Sequence, residues 1–484
     1  MTHEMRLHDE PFNLIKNGTK TIELRLYDEK RREIHEGDNI EFTNRVTNEK
    51  IMTTVIKLHI YRSFKELYGH FDKVSLGYKE NEEAAPEDMQ LYYSKEEQDK
   101  YGVVGIEIKL LYEKVNMQVR NNYNECLTNL ACSIRKYFDL PYNHNTLEYV
   151  DKLLNEKKPK NVVTILCDGM GSNILKRTLD KDDFLIKNMY KSITTVFPAT
   201  RVAATTSMRT GLNPSETGMI GWNTYYKDID KVITTFFNTE KTDTTHIIIP
   251  EAVSLRKKYM KEKSIEEYIN EEGKYKAYSL FPFGDNPYTD TLDMYNKIKE
   301  LCTEPSKKYI YAYDEEPDHT MHLYGPDNKT VKDLIRYRNM MIERLSNELE
   351  DTIIFVVADH GHTLIENIFL ENYPDIIECL IRNTSAEPRA TSFFIKEDKK
   401  DEFVTLFNKY FSNDFDLYTK EEVLKSKLFG DGDINPILES ELGDYISIAK
   451  TNKAILYKGD EALVSHYAGY TDDEIYVPLI ITTR

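Results

Sequence analysis

Cysteine is scarce and unpatterned: Cys126, Cys132, Cys167, Cys302 and Cys379 are five among 484 residues, an odd number with no Cys-x-x-Cys. That argues against a disulfide framework or a thiolate metal site and predicts reduced thiols in a cytoplasmic protein. Long apolar runs are missing too. No stretch approaches about 20 consecutive apolar residues, so no membrane span is expected. The N-terminus, MTHEMRLHDEPFNLIKNG, is charged from its start and lacks the apolar core of a signal peptide. Positive charge is also in short supply, with 64 Lys and Arg against 82 Asp and Glu, a formal net charge of −18. Such a surface repels phosphate backbones at long range and argues against a dedicated duplex-binding protein. A local nucleotide site remains open if metal ions bring the positive charge.

What is present is a globular balance, 40% hydrophobic and 30% charged, in a chain long enough for two or three domains. Residues 1–113 read as short strands with few helices. In FNLIKNGTKTIELRLY a short helix and a Gly18 turn precede an alternating strand with Ile22, Leu24 and Leu26 on one face. Residues 114–158 read as a polar helical connector. From residue 159 the grammar changes. NVVTILCDGMG, KKYIYAYDEEPD and DTIIFVVADHGH are apolar runs that end in acids and are separated by helical stretches. This predicts an α/β domain over 159–484, a mostly parallel doubly wound sheet with helices on both faces and functional residues at the strands' carboxyl ends.

Those ends carry the chemistry. CDGMG offers Asp168, EEPDHTMHLYG offers Asp318 and His322 four apart, VVADHGH offers Asp359 and His360, and LVSHYAGY offers His466 in a turn-rich segment. Each alone reads equally as a cap or surface residue. Together, three carboxylates and three imidazoles suit Zn²⁺ or Mn²⁺, and two ions about 4 Å apart could clamp a phosphoryl group. His319 and His362 read as supporting or surface neighbours of these ligands.

The order of these motifs resembles the alkaline phosphatase superfamily, in its type I phosphodiesterase/nucleotide pyrophosphatase branch, from about Asn124 to the C-terminus. The resemblance rests on Asp168-Gly169, a Phe197-Pro198 segment ending in Thr210-Gly211-Leu212-x-Pro214, Glu315-Glu316-Pro317-Asp318 with His322, Asp359-His360-Gly361 and a late His466. It implies a two-metal site, Zn²⁺ first with Mn²⁺ or Mg²⁺ as alternatives. Asp168, Asp359 and His360 with the nucleophile would hold one ion, and Asp318, His322 and His466 the other. The resemblance also implies a Thr or Ser nucleophile at the start of the helix after the second strand. Pro198 favours a helix start and Thr200 then lies in the first turn, where free N–H groups favour an alkoxide, so Thr200 is the expected nucleophile and metal contact. Val196 stands where animal members of the branch have the Thr and where a sulfatase needs Cys or Ser. Asn223 is the expected holder of phosphoryl oxygens, with Trp222 beside it either packing or offering a stacking face.

The front segment, FNLIKNGTKTIELRLYDEKRREIHEGDNIEF, resembles an ASCH domain, a small PUA-like β-barrel, on its Lys16-x-Gly18-x-Lys20-Thr21-Ile22-Glu23-x-Arg25 core. The resemblance implies contact with RNA or a nucleoside. Alternation points Glu23 and Arg25 into a cleft opposite Ile22 and Leu24, and the resemblance adds Lys20. Glu23 departs from the Thr of the related amidases. The expectation is therefore a metal-dependent hydrolase of phosphodiester or nucleotide pyrophosphate bonds, acting on a small phosphoester or nucleotide. Its rivals are a phosphomonoesterase or phosphomutase on the same site, and an RNA- or nucleoside-binding module with a non-catalytic back domain.

Overall fold

The structure, a computed structural model, describes residues 1–16, 18–111, 117, 119–259, 263–284 and 286–483. The chain divides into two compact units: Met1–Asn116 with Val404–Tyr410, and Met117–Phe403 with Phe411–Arg484. The boundary expected between residues 113 and 114 lies outside the described residues.

In the first unit, five strands form one sheet in the order Thr2–Leu7, Asn39–Asn44, Lys50–Tyr61, Val103–Leu111, Ile22–Leu26. The first pair is parallel and the others antiparallel. Period-two alternation sorts the Ile22–Leu26 strand. Ile22, Leu24 and Leu26 pack with Phe64, Leu67, Leu76 and Met89. Glu23 and Arg25 turn the other way and line a cleft of about 970 Å³.

In the second unit a six-stranded sheet runs in the order Lys276–Leu280, Lys308–Asp314, Asn161–Cys167, Thr352–Val357, Tyr476–Thr483, Met189–Thr194. The first four strands are parallel, and Tyr476–Thr483 is antiparallel to both its neighbours. Every residue of Asn161–Cys167 is buried, which is why that run shows no polar alternation. Leu127, Leu130, Ala131 and Ile134 of the helix Leu127–Tyr137, and Val150 and Leu154 of Glu148–Lys157, belong to this core. The segment read as a connector is therefore packed structure of the second unit.

A further sheet of seven short antiparallel strands includes Asn223–Tyr226, Ser385–Glu387 and Ala390–Phe393. Its strands are two to five residues long, below the length at which a hydrophobic period is legible. Among the described residues, no helix is long and apolar enough to cross a membrane.

The parallel register places the site. Asp314 lies opposite Cys167, and Val357 opposite Leu166, so three neighbouring strands end level at their carboxyl ends. Asn161–Cys167 lies between the other two, where the chain's order across the sheet reverses. Ligands enter open α/β sheets at such a point.

Candidate active site

Asp168 follows its strand directly. Its N–H donates to the Asp314 carbonyl (2.8 Å), and its own carbonyl accepts from the Asp318 N–H (3.1 Å). The turn needs Gly169, which has φ of 71°. A Cβ there would stand 2.6 Å from Met321 Cε and 3.1 Å from the Asp318 Cα. Asp318 opens the helix Asp318–Tyr324, and one turn places His322 on its side. The Asp359 Oδ1 accepts the N–H groups of Gly169 and His360, each at 3.0 Å, which ties two strand ends together. Gly361 lets this loop close, since a Cβ would meet the Asp473 carbonyl oxygen at 1.9 Å. The pairing of Thr363–Leu364 with Ser465–His466 brings the late histidine segment in.

Two groups of metal-type side chains result among the described residues, Asp168–Asp318–His360 and Asp318–His322–His362. In the first, the His360 Nε2 stands 3.3 Å from the Asp168 Oδ1, 3.7 Å from the Asp359 Oδ2 and 4.0 Å from the Asp318 Oδ1. The His360 Nδ1 lies against the Gly361 carbonyl at 3.1 Å, which puts the ring proton there and leaves a lone pair on Nε2. The Asp168 Oδ1, Asp359 Oδ2 and His360 Nε2 are buried without a hydrogen-bond partner.

The second group repeats this logic. His322 Nδ1 faces the Ser465 carbonyl (2.9 Å), so Nε2 turns its lone pair toward the Asp318 Oδ1 at 3.5 Å. The Ser465 hydroxyl donates to the Met321 carbonyl (2.7 Å), so His362 Nδ1 must donate to Ser465 (3.0 Å). The His362 Nε2 is within hydrogen-bond distance of the Asp318 Oδ1 at 2.6 Å. Burial pulls the His362 pKa down to about 3, countered in part by that bond. It also lowers His360 and pushes Asp359 up to about 6.

His362, read from sequence as a supporting neighbour, is thus in the cluster, and only the Ser465 contact reveals it. His319 is exposed. His466, expected as a ligand, stands beside His322 with ring centroids 5.3 Å apart. It lies outside both groups, with its Nδ1 facing the Tyr467 N–H at 2.9 Å and the Tyr467 carbonyl at 3.2 Å.

The helix after Pro198 begins at Arg201, so Thr200 is its N-cap rather than part of its first turn. The Thr200 hydroxyl is fully buried and donates to the Glu387 Oε1 at 2.5 Å. The same oxygen accepts the Trp222 N–H at 2.7 Å, and burial pushes the Glu387 pKa up to about 8. The side chain that this helix delivers to the acids is Arg201: Nε pairs with the Asp168 Oδ2 and Nη2 with the Asp318 Oδ2. Sequence reasoning passed over Arg201 because a lone basic residue in a Thr-rich helix carries no motif. Asn223 does not reach the cluster through its amide oxygen, which accepts from the Thr234 hydroxyl at 3.2 Å. Trp222 does flank it: its ring lies 5.7 Å from the Arg201 guanidinium and meets Phe236 and Phe237 edge-on.

In the first unit, Glu23 is buried between two cations. Arg25 Nη1 stands 2.6 Å and Lys20 Nζ 3.6 Å from its oxygens, and Lys20 also donates to the Leu76 carbonyl at 2.7 Å. Burial lowers the Lys20 pKa, partly countered by Glu23. All three residues line the cleft.

The donor set of the second unit fits a divalent cation. Buried lone pairs of carboxylate and neutral imidazole face one another, and only a cation or added protons relieve that arrangement.

Residues 162–470 match the family model described as type I phosphodiesterase/nucleotide pyrophosphatase, and residues 5–111 match the ASCH domain model. No curated protein matches the chain. Among solved structures, an inactive murine ectonucleotide pyrophosphatase/phosphodiesterase 5 in complex with AMP is similar at 19% identity and a TM-score of 0.51, over 66% of this chain and 87% of that one. The human counterpart is similar at 17% identity and 0.51, over 66% and 87%. The phosphonoacetate hydrolase of Sinorhizobium meliloti 1021, in complex with phosphonoacetate, stands at 14% identity and 0.49, over 67% and 90%.

Proposed function

Because the chain belongs to the type I phosphodiesterase/nucleotide pyrophosphatase family of phosphoric ester hydrolases, we propose that its second unit cleaves a phosphodiester or nucleotide pyrophosphate bond at the Asp318-centred cluster. The observation that carries this reading is the buried confrontation of acceptors, with the His360 Nε2 turned on the Asp168 Oδ1 and Asp359 Oδ2 and none of the three holding a hydrogen-bond partner. Asp168, Asp359 and His360 would hold one divalent ion, and Asp318, His322 and His362 another, with His466 at its edge. Zn²⁺ suits the imidazole and carboxylate donors best, with Mn²⁺ or Mg²⁺ as alternatives. Such an ion, when bound, acts as a Lewis acid that draws charge from phosphoryl oxygens. Trp222, with Phe236 and Phe237 at its edges, offers a face on which a nucleobase stacks.

The attacking oxygen has two readings. Direct attack by water is favoured by the complete burial of Thr200 and by the delivery of Arg201, not Thr200, to the acids. A covalent phospho-Thr200 intermediate is favoured by the Thr200–Glu387 bond, which sets the hydroxyl against an acid that can take its proton once ionised. Hydrolysis of bis-p-nitrophenyl phosphate against p-nitrophenyl phosphate, with and without Zn²⁺ or Mn²⁺, tests the reaction class. We expect metal-dependent turnover of the diester, and a monoester preference would turn the reading to a phosphomonoesterase. Thr200→Ala decides the nucleophile. Direct hydrolysis keeps kcat within about tenfold of the parent, and a covalent route loses several orders of magnitude together with acid-trappable phosphothreonine.

In the first unit, two cations against one carboxylate support an anionic or polar ligand, in keeping with a nucleoside or RNA end. Five free, buried thiols support a reducing compartment.

A further inference from the structure

We propose that Arg201 is a built-in replacement for one of the two cations, so that this chain binds one divalent ion where the two-ion reading requires two. The inference rests on the metal reading of the cluster given above.

Three features of Arg201 carry it. First, its guanidinium lies between the two donor groups, with one nitrogen on Asp168 and another on Asp318. The planar fork of Arg suits bridging two carboxylates, and its charge is permanent. Second, the fork is held in place. Tyr313 and Trp222 stand with ring centroids 6.0 Å and 5.7 Å from the Arg201 Cζ, and Tyr313 donates its hydroxyl to the Asp168 Oδ2. Third, Arg201 is the open side of the cluster. Its side chain keeps 23% of its surface accessible, whereas Asp168 and Asp318 keep none.

The two groups are not equally taken. Arg201 occupies an oxygen on two of the three members of Asp168–Asp318–His360. It touches only one member of Asp318–His322–His362. There it takes Oδ2, while both imidazoles face Oδ1. In the first group too it takes Oδ2, and the His360 Nε2 faces Oδ1 of Asp168 and Asp318, so what separates the groups is charge. The guanidinium lies on both carboxylates of the first but belongs to the second through Asp318 alone, which makes the second the place of the single ion. Charge agrees. Asp168, Asp318 and Asp359 carry three negative charges when ionised, Arg201 cancels one, and one divalent ion cancels the remaining two. A second ion on Asp168, Asp359 and His360 would stand against a guanidinium already paired with the Asp168 Oδ2. On the Asp168 side, the work left to Arg201 is to take a phosphoryl oxygen through charge-assisted hydrogen bonds at the mouth of the site.

The test is metal stoichiometry, by equilibrium dialysis against Zn²⁺ or Mn²⁺ and elemental analysis, on the full chain and on Arg201→Ala, Arg201→Lys and His322→Ala. We expect one ion per chain at saturation in the unmodified protein, one in Arg201→Lys, two in Arg201→Ala and none in His322→Ala. Thermal melting adds a readout independent of turnover. Without metal, Arg201→Ala should melt below the parent, and Zn²⁺ should raise its Tm by more than it raises the parent's. Two ions in the unmodified protein would overturn the replacement by Arg201 and leave the metal reading standing. No ion in any form would overturn both. Should Arg201→Ala fail to fold, the count in the unmodified protein still decides.

Discussion

In the first unit, Lys20 and Arg25 flank a single carboxylate, Glu23. In the second, a single guanidinium, Arg201, serves Asp168 and Asp318, with a third acid, Asp359, buried beside them. Each region takes charge out of water, which is tolerated only when the charge is paired. The first balances its acid with two cations, leaving one surplus positive charge toward its cleft and a single oxygen, the Glu23 Oε2, without a hydrogen-bond partner. In the second, three buried acceptors that face one another, the His360 Nε2, Asp168 Oδ1 and Asp359 Oδ2, have none. On the metal reading proposed above, an imbalance of that kind is relieved by a cation from outside.

The largest break in that comparison comes from removing its pivot. Asp318→Asn takes away the one carboxylate that both donor groups share, and should lower kcat/KM on the diester by at least about a thousandfold with loss of bound metal. Glu23→Gln, the matching change in the first unit, should leave diester turnover within about twofold. Equal losses from the two changes would mean that the first cluster takes part in the chemistry.

A smaller effect sharpens the contrast with a third buried acid. Glu387 rests on a hydroxyl and an amide, and burial raises its pKa to about 8. An acid raised in this way keeps a proton in the folded state that the unfolded chain gives up. Its contribution to stability is present below the ordinary carboxylate range and is lost as pH rises through about 8. Glu387→Gln preserves an accepting oxygen and should flatten that decline, by on the order of 1–3 kcal/mol between pH 5 and pH 8 in urea unfolding. A parent protein equally stable at both pH values would contradict it.

The least effect is expected from separating the regions altogether. Deletion of residues 1–113 should leave a folded second unit, with diester kcat/KM within about threefold of the full chain, since each unit has its own apolar clusters. Failure of the truncated protein to fold would show that the units depend on one another for stability.

Much of this was legible in the chain alone. Buried parallel strands announce themselves as unbroken apolar runs, and an acid just after such a run has no packing reason to be there, so Asp168 and Asp359, with His360 beside it, could be picked out by position. The i, i+4 spacing of Asp318 and His322 places both on one side of a helix. Ile22, Leu24 and Leu26 sorted themselves against Glu23 and Arg25 by period two. The seven-stranded sheet escaped because its strands are too short to show a period, and the helix Leu127–Tyr137 passed for part of a connector because it buries polar residues, Thr128, Asn129, Ser133 and Arg135, among its apolar ones.

Local sequence, then, determined the elements and which residue types lie at their ends, because periodicity, caps and apolar runs act over a few residues. It could not determine which side chain of Thr200 and Arg201 meets the acids, since neighbouring residues at a helix start point in different directions and the choice depends on where Glu387 and Asp318 arrive. Nor could it bring His362 to the Asp318 carboxylate, because that ring is oriented by Ser465, about a hundred residues away across a strand pairing. Those decisions belong to the tertiary structure, where the direction of a lone pair is fixed by partners that no local window contains.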